Sequence, residues 1–472
     1  MHIKNTKVVC TLGPASNSVT EITKLVQAGM NVARLNFSHG DYKSHLELIN
    51  NIHTVEKNTG KRIGILQDLQ GPKIRLGDLP AEGVQLKKGD TFILTSAKNK
   101  SKKNAPSSHL PIQFKPFTKG LKKNDMILFN DGLIENQVLQ VIDKENVKCL
   151  VKCGGLVRGH AGVHLPGITQ NIETITEKDK KDLVFGLKNN VDYVALSFVK
   201  DANDIKNLRK LITKQKKSTK IIAKIELKLA VDNLEEIIKT VDGVMVARGD
   251  LGIDIPAEQV PIIQKRIIAL SNKYAKPVIT ATEVLLSMVN NPRATRAEIS
   301  DAANAVYDRT DAIMLSNESA IGRFPAQAAA TLSRVASTVE KELRKYSELE
   351  NNFFIHSREV VNPHCANACD LAEETKADYL VIYTSDGYTA RELARHRPHT
   401  PIITICEKEE TARELTLVWG LNNIFAHTLT KENKIEQIVQ ILKKNKIVKP
   451  KNKIVILANA SKKEKIISNI TI

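Results

Sequence analysis

The sequence predicts an α/β protein: a (β/α)8 barrel interrupted by a β-rich insertion and followed by a smaller α/β module. Three observations carry this reading. Short β-branched segments alternate with amphipathic helical ones from the start of the chain; the alternation pauses for about a hundred residues and then resumes to reach eight strands; and a polar stretch sets off a further group of strands near the end. At roughly 150 residues per domain, a chain of 472 residues has room for about three domains.

The first three strands are KVVCTLG (7–13), NVARLNFS (31–38) and RIGILQDL (62–69). Between GPKIR (71–75) and HLPG (164–167) come short alternating segments, TFILTS, MILFND and NVKCLVKC, separated by charged turns and without a long helix. The βα rhythm then returns with VDYVALSF (191–198), IIAKIE (221–226), VDGVMVARGD (241–250), KPVITAT (276–282) and TDAIMLSNE (310–318). Eight such units close into a barrel, which places catalytic groups at the C-terminal ends of the strands. After a long helix (326–346), SELENNFFIHSREVV (347–361) reads as a linker to a module with strands at 379–385, 401–406, 423–428 and 453–459. The expected domains are therefore 1–70 with 168–346 for the barrel, 71–167 for the insertion, and 347–472 for a regulatory or oligomerising module.

No apolar run approaches the roughly 18 residues that span a bilayer, and MHIKNTKVVC passes straight into a strand, so a cytoplasmic protein without a membrane segment is expected. The formal charge of +18 comes mostly from dispersed lysines; with 4% aromatic residues and no nucleic-acid motif, it reads as a solvated surface rather than an RNA or DNA footprint. Six scattered cysteines lack zinc-site spacing and are expected as free thiols.

Candidate chemistry concentrates in three strand ends. Side chains two apart on a strand face the same way, so Lys224 and Glu226 point to one site. With Asp250 and Thr282 ending the next two strands, a cation stands beside two carboxylates, a set able to hold magnesium and still present a charged donor. The bland alternatives are an exposed Lys224–Glu226 ion pair, worth at most about 1 kcal/mol, and Thr282 as an ordinary β-branched strand residue. There is no Walker loop and no GxGxxG.

In order along the chain, CTLGPAS (10–16), GMNVARLNFSHG (29–40), DLQGPKIR (68–75), HLPG (164–167), TEKD (176–179), AKIE (223–226), MVARGDLG (245–252), TAT (280–282), NPRATRAE (291–298) and IMLSNESA (313–320) resemble the pyruvate kinase family. The resemblance implies a TIM barrel with a small β-barrel lid inserted after the third strand, a C-terminal α/β domain and a homotetramer. It also implies phosphoryl transfer from phosphoenolpyruvate to ADP, giving pyruvate and ATP. The rival readings are another magnesium-dependent barrel enzyme, a lyase or aldolase, and a non-catalytic basic protein on the same fold.

By that resemblance, Glu226 and Asp250 hold Mg2+ (or Mn2+), Arg34 and Lys224 face the phosphoryl group, and Thr282 relays the proton, with Ser316 or a water assisting. The backbone at Ala247, Arg248 and Gly249 lines the substrate carboxylate. Asn36, His39 and Arg75 fall on the nucleotide side, a buried structural histidine being the alternative for His39. Ser38 and His39, adjacent on an extended backbone, face apart and form no nucleophilic dyad. Asn36, Ser38, Asp68 and the Leu69 carbonyl form the family's monovalent-cation pocket. Here, however, the motif is GPKIR rather than GPEIR, and Lys73, with Leu69, Gln70 and Leu76, matches the branch that needs no K+. Other departures are Ala161 for a lysine before GVNLPG, with Arg158 or His160 as possible substitutes, Leu227 for an asparagine, and Asn317 for a glycine. In the C-terminal module Thr384, Ser385 and Thr389 mark the effector loop of relatives. Asp386 puts a negative charge there, and ANASKKEK (458–465) replaces a glycine-rich loop, so altered or absent effector control is expected.

Overall fold

Eight parallel strands close the barrel: β1 Lys7–Thr11, β2 Val32–Asn36, β3 Gly64–Asp68, β4 Tyr193–Leu196, β5 Lys220–Ile225, β6 Gly243–Ala247, β7 Val278–Ala281 and β8 Ala312–Leu315. Their order is β1-β8-β7-β6-β5-β4-β3-β2, each strand pairing in parallel with both neighbours. This computed structural model describes all residues except 1–3, 98–107, 115–116, 131, 166–172, 350–361, 431 and 460–464, with the backbone alone at 346–349, 459 and 465. Barrel strands are covered on both faces, which is why β1, β3 and β6 are buried throughout and read as near-continuous apolar runs. Val9, Val32, Leu66, Ile222, Met245 and Ile279 fill the interior, and a larger core lies between the strands and the outer helices.

Several motifs prove to be helix starts. Thr176 and Asp179 of TEKD form a reciprocal capping box for the helix Glu177–Lys188, and Thr295 with Glu298 does the same for Arg296–Tyr307. Asp179, fully buried, also accepts the Gly71 amide at 3.1 Å and so anchors the chain as it leaves the barrel. Gly71 has φ +69°, and a Cβ there would meet Phe198 at 2.8 Å, so this bend requires glycine.

The insertion has its own core around Leu76, Leu94, Phe117, Phe129 and Val138. The small barrel expected for it takes the form, among the described residues, of a six-stranded sheet and a two-stranded ribbon, Val84–Leu86 with Gly155–Val157. Its strand Ile134–Val141, absent from the sequence reading, pairs antiparallel with Asn146–Cys153. The long helix runs Pro325–Leu349, three residues into the stretch read as a linker, while 350–361 lies outside the described residues. The C-terminal sheet has the four expected parallel strands plus an unexpected antiparallel edge strand, Lys465–Thr471. Most of ANASKKEK (460–464) lies outside the described residues. All six cysteines are free, and no described helix is long and apolar enough to cross a membrane.

The C-terminal domain closes the bottom of the barrel, where Leu417 joins the interior cluster and Lys7 donates to the Leu421 carbonyl at 2.8 Å. Arg413 anchors this contact, pairing with Asp192 at 3.0 Å and Glu56 at 2.6 Å and donating to the Ile63 carbonyl. Burial raises Asp192 to about 6, against the pull of Arg413. A carboxyl with a raised folded-state pKa favours folding most when protonated, so its contribution declines as pH climbs from the ordinary carboxylate range through about 6. Arg413→Ala strands two carboxylates and should cost about 3–5 kcal/mol at pH 8 and less at pH 5. Trp419, the only tryptophan, lies under Arg397 at this seam, 4.8 Å from its guanidinium, so its fluorescence during thermal denaturation reads the effect directly. An unchanged transition at pH 8 would remove Arg413 from this role.

Candidate active site

At the C-terminal mouth of the barrel, Lys224 on β5 is the hub. Its ammonium lies 2.9 Å from Glu226 and 3.3 Å from Asp68, and donates to Ser197 Oγ at 2.7 Å. Burial pulls the pKa of Lys224 down, but the charges of Asp68 and Glu226 outweigh it and hold the group above its ordinary value. Lys224 is therefore held in its cationic form, with its side chain 12% accessible. The exposed ion pair considered as an alternative is not what the fold builds, since Glu226 is only 1% accessible.

Glu226 is tied by the Phe198 amide, 2.8 Å from Oε2. Its pKa is pushed up by burial and by the negative charge of Asp250, only partly opposed by Lys224. Asp250 is half-buried in the first turn of the helix Arg248–Asp254, directly after β6. Two carboxylates that repel each other in a partly dry cleft are relieved by a cation, and an all-oxygen pair suits a hard divalent ion. The residues fit such a metal. Two protein carboxylates would leave most coordination positions of such an ion open, and no cluster of three or more metal-ligating side chains occurs among the described residues.

Arg34 on β2 is oriented by Asp68, Nε to Oδ2 at 2.7 Å, and by Thr11 Oγ1 at 2.9 Å. Burial raises the pKa of Asp68, but Lys224 and Arg34 together hold it below the usual carboxylate value. Thr282 is no ordinary strand residue. It follows β7 with φ +67°, and Glu283 follows with φ +54°. A β-branched residue adopts that conformation only when its surroundings force it. The forcing contacts are Arg248 Nη2 to the Thr282 carbonyl at 2.8 Å, Arg248 Nε to the Ala281 carbonyl at 3.2 Å, and the Gly249 amide to Thr282 Oγ1 at 2.8 Å. Arg248 is itself held by Asp301 at 2.7 Å. Thus the Arg248 side chain supports the turn that aims Thr282, in addition to any role of its backbone. A cleft of about 1100 Å³ brings together Lys73, Gly249, Asp250, Thr282 and Ser316.

His39 is exposed, so the buried structural alternative does not hold; the buried histidine is His45, stacked on Phe37 at 4.0 Å. The segment after β2 turns rather than running extended, with the His39 amide bonded to the Asn36 carbonyl at 3.3 Å. Partial loss of hydration, despite the exposed ring, and then the charges of Arg75, Lys73 and Arg34 depress the His39 pKa; those three charges form a cationic rim on this side of the cleft. Arg75 donates to the His160 carbonyl at 3.0 Å. Ala161 packs against the core of the insertion, and Arg158 is exposed. Leu227 is buried and starts the helix Lys228–Asp232 without a side-chain cap, while Asn317 is exposed.

Of the four groups expected to hold a monovalent cation, three already face protein donors, although Asp68 Oδ1 is buried without a hydrogen bond. The Leu69 carbonyl accepts from Ser197 Oγ at 2.7 Å, Asn36 Oδ1 from the Ser38 amide at 3.1 Å, and Asp68 is paired as above. Lys73 is half-buried and lines the cleft, so it is not turned into solvent. In the C-terminal domain Thr384 and Thr389 are buried at 1% and 5% accessibility, leaving Ser385 exposed. Asp386 accepts the Tyr388 amide and Thr384 the Gly387 amide, each at 3.0 Å.

Sequence reasoning passed over Ser197, Thr11 and Asp301. Ser197 and Thr11 had a signal, a hydroxyl at the end of a barrel strand; Asp301 had none, because only folding sets it against Arg248.

Comparison with known proteins points one way. Residues 3–329 match the family model described as pyruvate kinase, barrel domain, and residues 364–471 match pyruvate kinase, alpha/beta domain. The chain is 40% identical over 423 residues to a pyruvate kinase of Staphylococcus epidermidis, covering 89% of this chain and 72% of that one. It is 42% identical over 421 residues to pyruvate kinase 2 of Synechocystis, covering 89% and 70%. A crystal structure of a pyruvate kinase from Cryptosporidium parvum superposes with a TM-score of 0.88 at 32% identity, covering 99% of this chain and 96% of that one.

Proposed function

The chain belongs to the pyruvate kinase family and transfers the phosphoryl group of phosphoenolpyruvate to ADP, and we propose that it does so at the Lys224, Glu226 and Asp250 cluster. The observation that carries this assignment is the ammonium of Lys224 held within 2.9 Å of Glu226 beside Arg34 and Asp68. Arg34, braced through Nε and Nη1, presents the rest of its planar fork to the phosphoryl group, a geometry lysine cannot copy. Lys224 stabilises the charge that develops as the bond to the enolate oxygen breaks. Magnesium or manganese, held by Glu226 and Asp250, would neutralise substrate carboxylate and enolate charge. The backbone at Ala247, Arg248 and Gly249 lines the substrate carboxylate, with the Gly249 amide already donating to Thr282 Oγ1. The enolate then takes a proton at carbon through the Thr282 hydroxyl. That hydroxyl is too weak an acid to act alone and is replenished through Ser316 or solvent. His39, Arg75 and Asn36 form the nucleotide side. A coupled assay of pyruvate formation from phosphoenolpyruvate and ADP tests the whole; no pyruvate with magnesium and both substrates present would overturn it.

We further propose that the enzyme needs no K+. Lys73 supplies a tethered positive charge in the cleft, and two of the acceptors that would hold a free ion, the Leu69 carbonyl and Asn36 Oδ1, are engaged by protein donors. The wild type should be fully active with magnesium in tetramethylammonium buffer, and Lys73→Glu should lower that activity, with partial rescue by K+. Many-fold stimulation of the wild type by K+ but not Na+, at fixed ionic strength, would contradict this.

Fructose 1,6-bisphosphate should activate weakly or not at all. The Asp386 carboxylate occupies a helix amide that a phosphate oxygen would use and repels a dianion, and two of the three loop hydroxyls are buried. A large fall in the half-saturating phosphoenolpyruvate concentration on adding this effector would refute the reading. A cytoplasmic homotetramer is the assembly proposed, to be measured by analytical ultracentrifugation.

A further inference from the structure

Three segments far apart in sequence meet at one carboxylate, that of Asp254. Its Oδ1 lies 2.9 Å from Nε2 of His164, on the last strand of the inserted domain, and its Oδ2 accepts the Lys228 amide at 2.5 Å. The helix Lys228–Asp232 begins at Leu227, which supplies no side-chain cap, so Asp254 supplies the missing one. Lys228 stands two residues after Glu226, and Asp254 lies one helical turn after Asp250 in Arg248–Asp254. Asp254 thereby joins the two stretches of backbone that carry the paired carboxylates. Both partners are largely buried, with side-chain accessibilities of 15% for His164 and 8% for Asp254. His164 also lines a small open pocket with Lys73, Leu227 and Asp250, and Lys73 and Asp250 line the cleft as well, so this junction borders it. The return strand Val163–His164 and the outgoing segment at Arg75 are linked by the bridge Arg75 to Gly162, which makes His164 a fixed point of the insertion's attachment.

We propose that Asp254 and His164 are positioning residues that set the separation of Glu226 and Asp250, and that this bond couples the seating of the inserted domain to divalent-cation affinity. The proposal rests on the assignment of Glu226 and Asp250 as the cation's ligands. Outer groups that orient ligands typically alter metal affinity about 10–100-fold when removed. His164 acts through Asp254, so it has an effect only while Asp254 is present.

The test is Mn2+ binding to the full-length enzyme without substrates, followed by the electron paramagnetic resonance of free Mn2+. Asp254→Ala should weaken binding about tenfold or more and His164→Ala about threefold or more, while the double variant should be no weaker than Asp254→Ala alone. His164→Gln, whose amide nitrogen reaches about as far, should restore most of the affinity. In turnover, His164→Ala should raise the half-saturating magnesium concentration by the same factor and leave kcat at saturating magnesium near the parent value. Parent-like Mn2+ affinity in His164→Ala, or strictly additive losses in the double variant, would overturn the coupling. Asp250→Asn separates the two assignments. If it loses Mn2+ while His164→Ala and Asp254→Ala do not, the coupling alone fails; if it binds Mn2+ like the parent, the ligand assignment falls and the coupling with it.

Discussion

The Asp250→Asn enzyme should fold as the parent does and lose about a hundredfold or more of its magnesium-dependent turnover. The substitution keeps size and shape, and Asp250 is half-buried at the cleft in the first turn of its helix, so the fold has little to lose. What it removes is one of two negative charges. The remaining one, Glu226, is already compensated by Lys224 at 2.9 Å and attracts a divalent cation less strongly. Raising the magnesium concentration should recover part of the loss, because an amide oxygen still coordinates though without charge. A hundredfold in rate is about 2.7 kcal/mol, within reach of a single lost charge contact in a cleft of low dielectric. Steady-state turnover against magnesium, with thermal denaturation as a control on folding, decides the matter. Near-parent turnover at ordinary magnesium would remove Asp250 from the metal site.

Lys224→Met should lower kcat about a hundred- to a thousandfold while altering the phosphoenolpyruvate KM much less. In the role proposed for it, the charge of Lys224 matters most when the enolate oxygen takes on negative charge, so its loss should fall on the transition state more than on binding. Methionine keeps the length of the stem and removes the ammonium. A structural cost accompanies this, because Glu226 and Asp68 are both 1% accessible and lose a shared counter-charge, although Arg34 still holds Asp68 at 2.7 Å. The variant should therefore also be less stable, and its kinetics belong well below its unfolding temperature. If kcat were retained and only KM rose, Lys224 would be a binding group rather than a stabiliser of the reacting atoms.

Much of the site was legible in sequence because strand geometry is local. Period-two alternation puts Lys224 and Glu226 on one face whatever the rest of the chain does, and the barrel rule puts Asp250 and Thr282 at the same end. The motifs TEKD and NPRATRAE were read as patterns and not as devices. Their T-x-x-D and T-x-x-E spacing is a capping-box pattern that marks helix starts in sequence, whereas only the fold reveals that Asp179 also anchors the exit to the insertion. Strand Ile134–Val141 was missed because LIENQVLQV holds apolar residues at mixed spacings, although the Asp-Gly step at 131–132 before it was a hairpin signal. The antiparallel edge strand Lys465–Thr471 was missed because an edge strand half open to solvent carries a weak apolar signal.

By itself, the sequence determined the eight βα units, the β-rich interruption, the added α/β module and the residue types that make a phosphoryl-transfer site, since each depends on short-range periodicity or on motifs of a few residues. The tertiary structure alone decided how those residues are charged and aimed. Lys224 is held in its cationic form because Asp68, over 150 residues earlier, lies beside it. Thr282 stands in a left-handed conformation because Arg248 and Gly249 grip it from the preceding strand end. Arg413 closes the barrel because Asp192 and Glu56 wait for it at the far end of the chain's path. Coulomb energy and hydrogen-bond geometry depend on distance and burial in three dimensions, and spacing along a chain encodes neither.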